Sequence, residues 1–350
     1  MSSELTNKPL LQVLNGQVLS PPPVWLMRQA GRYLPEYRAL RAETGSFLDL
    51  VYDEAKACEV TMQPVRRYQM DGAILFSDIL IIPDALEQEL EFVSGTGPVL
   101  SPVRSRQDLE KLCQAGDEKA QAKYNQIGKT INLVAETLNR EGFETTTLIG
   151  FAGGPLTVAS YMVEGGGSKE FMHTRQVAIG EEWFADLIDR ITQATILYLK
   201  TQIKSGAQAL QIFESWAGIC DEILFERFVI EPTARIVSEL HATYPGIPII
   251  GFPRGAGTEY ARYAKKCGVQ ALGLDSSVPL NQARDLQNIC PVQGNLDPAY
   301  LLAGRDRAVH RAKEIRSALS GGPHIFNLGH GVNKNTNPEM VREVIQALRE

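Results

Sequence analysis

The chain has 350 residues, 44% of them hydrophobic and 22% charged, with 35 basic against 41 acidic side chains and a formal net charge of -6 at pH 7. That is a soluble, globular composition. Its mild acidity argues against a nucleic-acid partner, which selects a basic stripe, and no apolar run approaches the roughly 20 residues that cross a bilayer.

Residues 1–20 read as an N-terminal extension to a single domain over 1–350. With Glu4, Lys8, Pro9 and Asn15, they show neither the apolar core of a signal peptide nor an Arg/Ser-rich transit pattern. A cytoplasmic protein is expected, and a mature plastid form would read the same way. Eight short apolar runs then follow: Val24 to Met27, Ala73 to Phe76, Thr147 to Phe151, Ala209 to Phe213, Pro248 to Phe252, Gln270 to Leu274, Pro291 to Gln293 and His324 to Leu328. Runs of this length without alternation fit strands buried on both faces of a parallel sheet.

The segments between them carry helical spacing. Ala55, Cys58, Met62 and Val65 recur at one face, as do Phe184, Leu187, Ile188, Ile191, Ala194 and Tyr198, and Met340, Val344 and Leu348 close the chain. Strand and helix alternating eight times predict an α/β fold of the (β/α)8 TIM-barrel type. The competing doubly wound sheet would carry a G-x-G-x-x-G turn after its first strand, where this chain has Arg28. One excursion after the second run, from Ile79 to about Thr146, includes a hairpin pattern around Gly95-Thr96-Gly97.

In a barrel the chemistry sits at the C-terminal strand ends. Arg28 and Arg32 follow the first run, and from Trp25 to Arg41 four arginines stand against Glu36 alone. Planar guanidiniums pair bidentately with carboxylates and phosphates, so an anionic small-molecule ligand is implied. Asp78 lies between Ala73-Ile74-Leu75-Phe76 and Ile79-Leu80-Ile81-Ile82, a charge whose burial is costly unless paired. It reads either as an acceptor or charge stabiliser for a ligand or as a structural partner of Arg28 or Arg32. Tyr161 reads equally as core or ligand contact. Ser215 lacks the G-x-S-x-G setting of a nucleophile and reads as a hydrogen-bonding group. His330, between Gly329 and Gly331, reads as a ligand-facing imidazole.

Other chemistries find no support. Gly153-Gly154-Pro155 is not followed by the Gly-Lys-Ser/Thr of a phosphate loop. The five cysteines are scattered and the five histidines lack metal-ligand spacing, so no metal is expected.

Pro23-Val24-Trp25-Leu26-Met27-Arg28-Gln29-Ala30-Gly31-Arg32, and Gly150-Phe151-Ala152-Gly153-Gly154-Pro155-Leu156-Thr157 through Tyr161 to Gly166, resemble the two signatures of the uroporphyrinogen decarboxylase family. The resemblance runs from about Pro21 to Asn335. It implies a single-domain (β/α)8 barrel, a homodimer, and decarboxylation of a tetrapyrrole bearing four acetates and four propionates, without metal or cofactor. By resemblance, Arg28 and Arg32 hold substrate carboxylates beside the Gln29-Ala30-Gly31 backbone. Asp78 is the central carboxylate facing the pyrrole N–H groups. Tyr161, Ser215 and His330 contact the macrocycle or its side chains, Ser215 standing where some relatives carry Thr. Three other readings stay open: a zinc-dependent methyltransferase on a similar barrel, a tetrapyrrole carrier, and a generic barrel enzyme for phosphorylated sugars, for which the corner after runs seven and eight lacks a convincing glycine-rich phosphate site.

Overall fold

The computed structural model describes residues 7–93, 95–114 and 116–350. Its framework is a seven-stranded, all-parallel sheet made of β1 (Gly72–Ile74), β4 (Thr147–Gly153), β5 (Ala209–Glu214), β6 (Ile249–Pro253), β7 (Ala271–Gly273), β8 (Val292–Leu296) and β9 (His324–Leu328), paired in that order. Between β1 and β4 the chain forms an antiparallel pair, β2 (Leu90–Val93) with β3 (Gly97–Leu100), and the helices Arg106–Gln114 and Asp117–Arg140. Helices connect the remaining strands, among them Pro155–Glu164 after β4, Glu182–Lys204 before β5 and Glu231–Thr243 before β6. Every described residue of β1, β4, β6, β7, β8 and β9 is buried, as a parallel sheet covered by helices requires.

The sheet is curled. Trp25 Nε1 donates to Gln293 Oε1 at 2.9 Å, and Gln293 Nε2 donates to Gln211 Oε1 at 2.9 Å. Gln293 lies on β8 and Gln211 on β5, three places apart in the sheet, so their amides meet only across a concave interior. All three side chains are buried, and the relay satisfies polar groups that would otherwise be costly there.

The first apolar run is a bridge and not a strand. Trp25 N donates to Phe326 O at 3.3 Å and Phe326 N to Pro23 O at 2.9 Å, while on the other side Asp71 N donates to Val24 O at 2.9 Å. One short segment therefore touches both β9 and the approach to β1. The ladder stops because the next donors are diverted to side chains: Leu26 N to Gln29 Oε1 at 3.0 Å and Met27 N to Asn327 Oδ1 at 2.9 Å. The seventh run, by contrast, continues past Gln293 to Leu296. Asn295 is tolerated inside it because its Nδ2 donates to Asp275 O and Val278 O, both at 2.9 Å.

Within the first twenty residues, the helix Pro9–Leu14 buries Leu10, Leu11, Val13 and Leu14. Lys8 Nζ donates to Thr146 O at 2.6 Å, immediately before β4, which places this helix at the N-terminal ends of the strands. The opposite end is left to the functional groups. No described helix is long and apolar enough to cross a membrane, and the five cysteines are all free thiols.

Candidate active site

Arg28 ends the bridging segment in the left-handed region, with φ +59°, a conformation uncommon for a residue with a side chain and found where surrounding structure enforces it. The enforcement is visible. Gln29 is fully buried; its Oε1 accepts from Leu26 N and its Nε2 donates to Gly72 O at 3.0 Å. Met27 O accepts from Val332 N at 2.9 Å. The turn is thus locked to β1 and to the loop after β9, leaving the Arg28 side chain exposed. A Cβ on Gly331 would lie 2.3 Å from Arg28 Cδ and 2.6 Å from its Cγ, so the bare glycine is what lets the arginine stem lie there.

The four arginines of this region divide into two kinds. Arg38 Nη1 donates to Arg32 O at 2.8 Å and Tyr33 O at 3.1 Å, and Arg41 Nη1 to Thr44 O at 3.0 Å and Gly45 O at 2.9 Å. These two serve the local backbone. Glu36, the one acid nearby in sequence, is held bidentately by Arg67, at 2.7 and 2.9 Å. Arg28 and Arg32 are both exposed and form no ion pair among the described residues, which leaves two uncompensated cations at one rim.

Asp78 follows β1 in a turn fixed from several sides. Phe76 N donates to Thr61 Oγ1 at 3.0 Å, Ser77 Oγ lies 3.3 Å from Tyr198 Oη, and Leu80 N donates to Asp78 Oδ1 at 2.8 Å. The carboxylate forms no ion pair with Arg28 or Arg32. Burial among apolar neighbours pushes its pKa up to about 6, with the Leu80 N–H and the Arg28 charge pulling back. Holding it ionised at pH 7 costs on the order of 3 kcal/mol relative to water. Arg28 acts on this carboxylate through its charge, without a direct ion pair among the described residues.

Three further groups lie at the same strand ends. Burial raises the Tyr161 phenol, the Trp216 indole N–H beside it pulls it back, and the Asp78 and Arg28 charges both act on it. Trp216 packs on Phe171 at 4.6 Å and faces Tyr161 at 6.4 Å between ring centroids. Ser215 is half-buried at the end of β5, between Glu214 and Trp216. His330 is pushed down to about 4 by burial and then by the Arg28 and Arg254 guanidiniums, with Asp275 opposing. It is a neutral imidazole at physiological pH. A cavity of about 430 Å³ opens beside it, lined by Arg254, Asp275, Asp297 and Asn333 among others.

Of the residues singled out from sequence, Arg28, Asp78, Tyr161 and His330 interact electrostatically and so are gathered at one end of the sheet, with Ser215 at the same strand ends. Arg32 is exposed. Gln29, Ala30 and Gly31 form the turn between the two arginines; the Gln29 amide is turned inward and used structurally. Among the described residues, no three His, Cys, Asp or Glu side chains converge as a metal-ligand set.

The sequence profile of the family described as uroporphyrinogen decarboxylase matches residues 5–350. The uroporphyrinogen decarboxylase of Rhodospirillum rubrum is 49% identical over 352 residues, covering 98% of this chain and 97% of that one. That of Granulibacter bethesdensis is 49% identical over 345 residues, covering 98% and 99%. The chain belongs to the uroporphyrinogen decarboxylase family. A solved methyltransferase from Methanosarcina mazei shares the fold, with a TM-score of 0.74 at 16% identity over 99% of this chain and 98% of that one.

Beyond the residues that resemble the uroporphyrinogen decarboxylase signatures, the structure adds Glu214. Fully buried, it accepts from Thr157 N at 2.7 Å and Leu156 N at 3.3 Å, and Thr157 Oγ1 also donates to it. It thereby satisfies the first N–H groups of the helix Pro155–Glu164, which carries Tyr161. Gly154 has to be glycine because a Cβ there would lie 2.2 Å from Glu214 Oε2. Burial raises this carboxyl to about 7 despite those hydrogen bonds. The sequence offered a signal, an acid ending a buried strand beside a Gly-Gly-Pro corner, but not the partner. Trp216 and Arg254 were legible only as strand-end neighbours.

Proposed function

We propose that this chain is a carboxy-lyase that converts the four acetate side chains of uroporphyrinogen III to methyl groups, giving coproporphyrinogen III and CO2 in tetrapyrrole biosynthesis. The observation that carries the reading is the 49% identity over 98% of the chain to a uroporphyrinogen decarboxylase. The site geometry supports it: a desolvated carboxylate lies within reach of the Arg28 guanidinium, which forms no ion pair among the described residues, as a substrate with pyrrole N–H donors and eight peripheral carboxylates would need.

The chemistry follows from the substrate. Protonation of a pyrrole ring carbon gives a cationic iminium. The C–C bond of the acetate then breaks, CO2 leaves, and its electron pair neutralises the iminium. Protonation of the resulting exocyclic methylene and loss of the ring proton give a methyl-bearing pyrrole. Asp78, ionised at pH 7 in a water-poor setting, accepts from the pyrrole N–H groups and stabilises the cation, the preorganised electrostatic effect that is often the largest catalytic contribution. Arg28 and Arg32 hold non-reacting carboxylates and so orient each acetate in turn. Tyr161 and Ser215 donate hydrogen bonds from hydroxyls, and neutral His330 contacts a substrate side chain.

In this reading residues 1–350 are one domain. The segment 23–25 is the eighth stave, closing the curled sheet into a (β/α)8 barrel, and the region between β1 and β4 decorates it. The protein works as a cytoplasmic homodimer. The electron sink is the pyrrole, so chelator-treated protein incubated anaerobically with uroporphyrinogen should release up to four CO2 per macrocycle. Dependence on added metal would support the zinc reading, and binding without CO2 release would support a carrier.

A further inference from the structure

Arg254 belongs to neither family signature, yet its setting matches that of Arg28. It follows directly on β6, the middle strand of the seven. Arg28 ends the segment that touches both outer strands, β9 and the approach to β1. In a curled sheet these are opposite positions on the rim, and both guanidiniums act on the imidazole of His330.

The backbone of Arg254 is fixed, its N–H donating to Glu214 O at 3.0 Å. Its guanidinium lies over the Trp216 ring, 5.8 Å from the centroid, where cation–π attraction restrains the side chain without consuming its N–H donors. The neighbouring acid, Asp275, forms no ion pair with it, because its oxygens are taken by other donors. Asp275 accepts from Ser277 N at 2.7 Å and Ser277 Oγ at 2.5 Å, and from Gly255 N at 2.6 Å and Tyr260 Oη at 2.9 Å. Burial would raise its pKa, but these bonds outweigh it and hold Asp275 below the usual range. Arg254 forms no ion pair among the described residues, although Arg66, Arg67 and Arg262 each hold carboxylates. It also lines the 430 Å³ cavity beside His330.

A half-buried, restrained guanidinium that forms no ion pair among the described residues, at the mouth of a cleft, keeps the donor geometry that suits a carboxylate. We propose that Arg254 binds a peripheral carboxylate of the substrate from the side opposite Arg28, so that the macrocycle is clamped at two points across the opening. This rests on the function proposed above and names a binding residue, not a participant in C–C cleavage.

The test uses Arg254→Met and Arg254→Lys in the full chain. For the Met variant, KM for uroporphyrinogen should rise roughly 10–100-fold, the loss expected for one charge-assisted hydrogen-bonded contact, with a much smaller change in kcat. Lys should restore part of the affinity but not the bidentate geometry. The same substitutions in an Asp78→Asn background, whose turnover is slow, read anaerobically by intrinsic tryptophan fluorescence, should weaken binding by the same factor. The two ideas separate here, because failure of the parent protein to decarboxylate leaves this binding comparison intact. A KM and Kd within twofold of the parent, in an Arg254→Met protein with unchanged circular dichroism, would overturn the proposal.

Discussion

At the scale of single residues, the informative contrast is between arginines of the same segment. Four occur between Trp25 and Arg41, and sequence alone shows a positive cluster. Arg38 and Arg41 spend their N–H groups on nearby carbonyls, whereas Arg28 and Arg32 do not. Arg28 depends on Gly331, and Gly331→Ala should displace the arginine stem while leaving the sheet intact. We expect KM to rise about 10-fold with little change in melting temperature; an unchanged KM would show that the stem position is unimportant.

Asp78 makes a pH prediction with a definite sign. Its carboxyl sits at about 6 in the folded protein, and the cation-stabilising role proposed for it requires the ionised form. kcat/KM should therefore hold above that value and fall as pH drops through it, a limb absent from Asp78→Asn. Because this pKa is raised on folding, the stability contribution runs the other way: it is present near pH 4 and lost as pH rises through about 6. Asp78→Asn should consequently melt at the same temperature as the parent or higher at pH 7.5, even as it loses activity.

Glu214 belongs to the scale of elements. It ties the end of β5 to the start of the helix Pro155–Glu164, and Thr157 Oγ1 also accepts from Trp216 N at 3.1 Å. Tyr161, Ser215 and Trp216 are thereby placed by one buried carboxyl. Its folded pKa of about 7 lies above the ordinary 4.5, so its contribution is fully present below about pH 4.5 and is lost as pH rises through 7. The shift corresponds to about 3 kcal/mol. Glu214→Gln keeps an acceptor oxygen without the charge, and its stability relative to the parent should improve between pH 5 and 8 in a denaturant titration. A difference that does not vary with pH would contradict the assignment.

The elements also show what sequence could and could not convey. Buried parallel strands were legible as unbroken apolar runs because both faces are covered, and seven of the eight runs are strands. Val24 to Met27 looked the same, yet two backbone donors there go to Gln29 and Asn327 side chains. Such diversion depends on partners up to 300 residues away, which no local pattern records. For the same reason the buried Trp25–Gln293–Gln211 relay and the Glu214 cap were not foreseen. Strand-end placement singled out candidate residues that the structure gathers at one end of the sheet; their charge compensation emerged only from the packing.

At the scale of the whole molecule, a chain of net charge -6 concentrates uncompensated cations at one end of a curled sheet. An anionic substrate is drawn there over a distance set by salt, so KM should rise with ionic strength and kcat should not. The likeness to a methyltransferase at 16% identity shows that this framework does not dictate a reaction. The candidate site of this chain sets a desolvated carboxylate within reach of the Arg28 charge, and Arg28 forms no ion pair among the described residues.

The most direct test compares the parent with Asp78→Asn under anaerobic conditions on uroporphyrinogen, counting carboxylates on the oxidised products by chromatography. The account predicts stepwise conversion from eight to four carboxylates by the parent. For the variant it predicts at least a 100-fold slower rate, about 3 kcal/mol of lost transition-state stabilisation, with the fold retained. Near-parental turnover by a folded Asp78→Asn protein would contradict it.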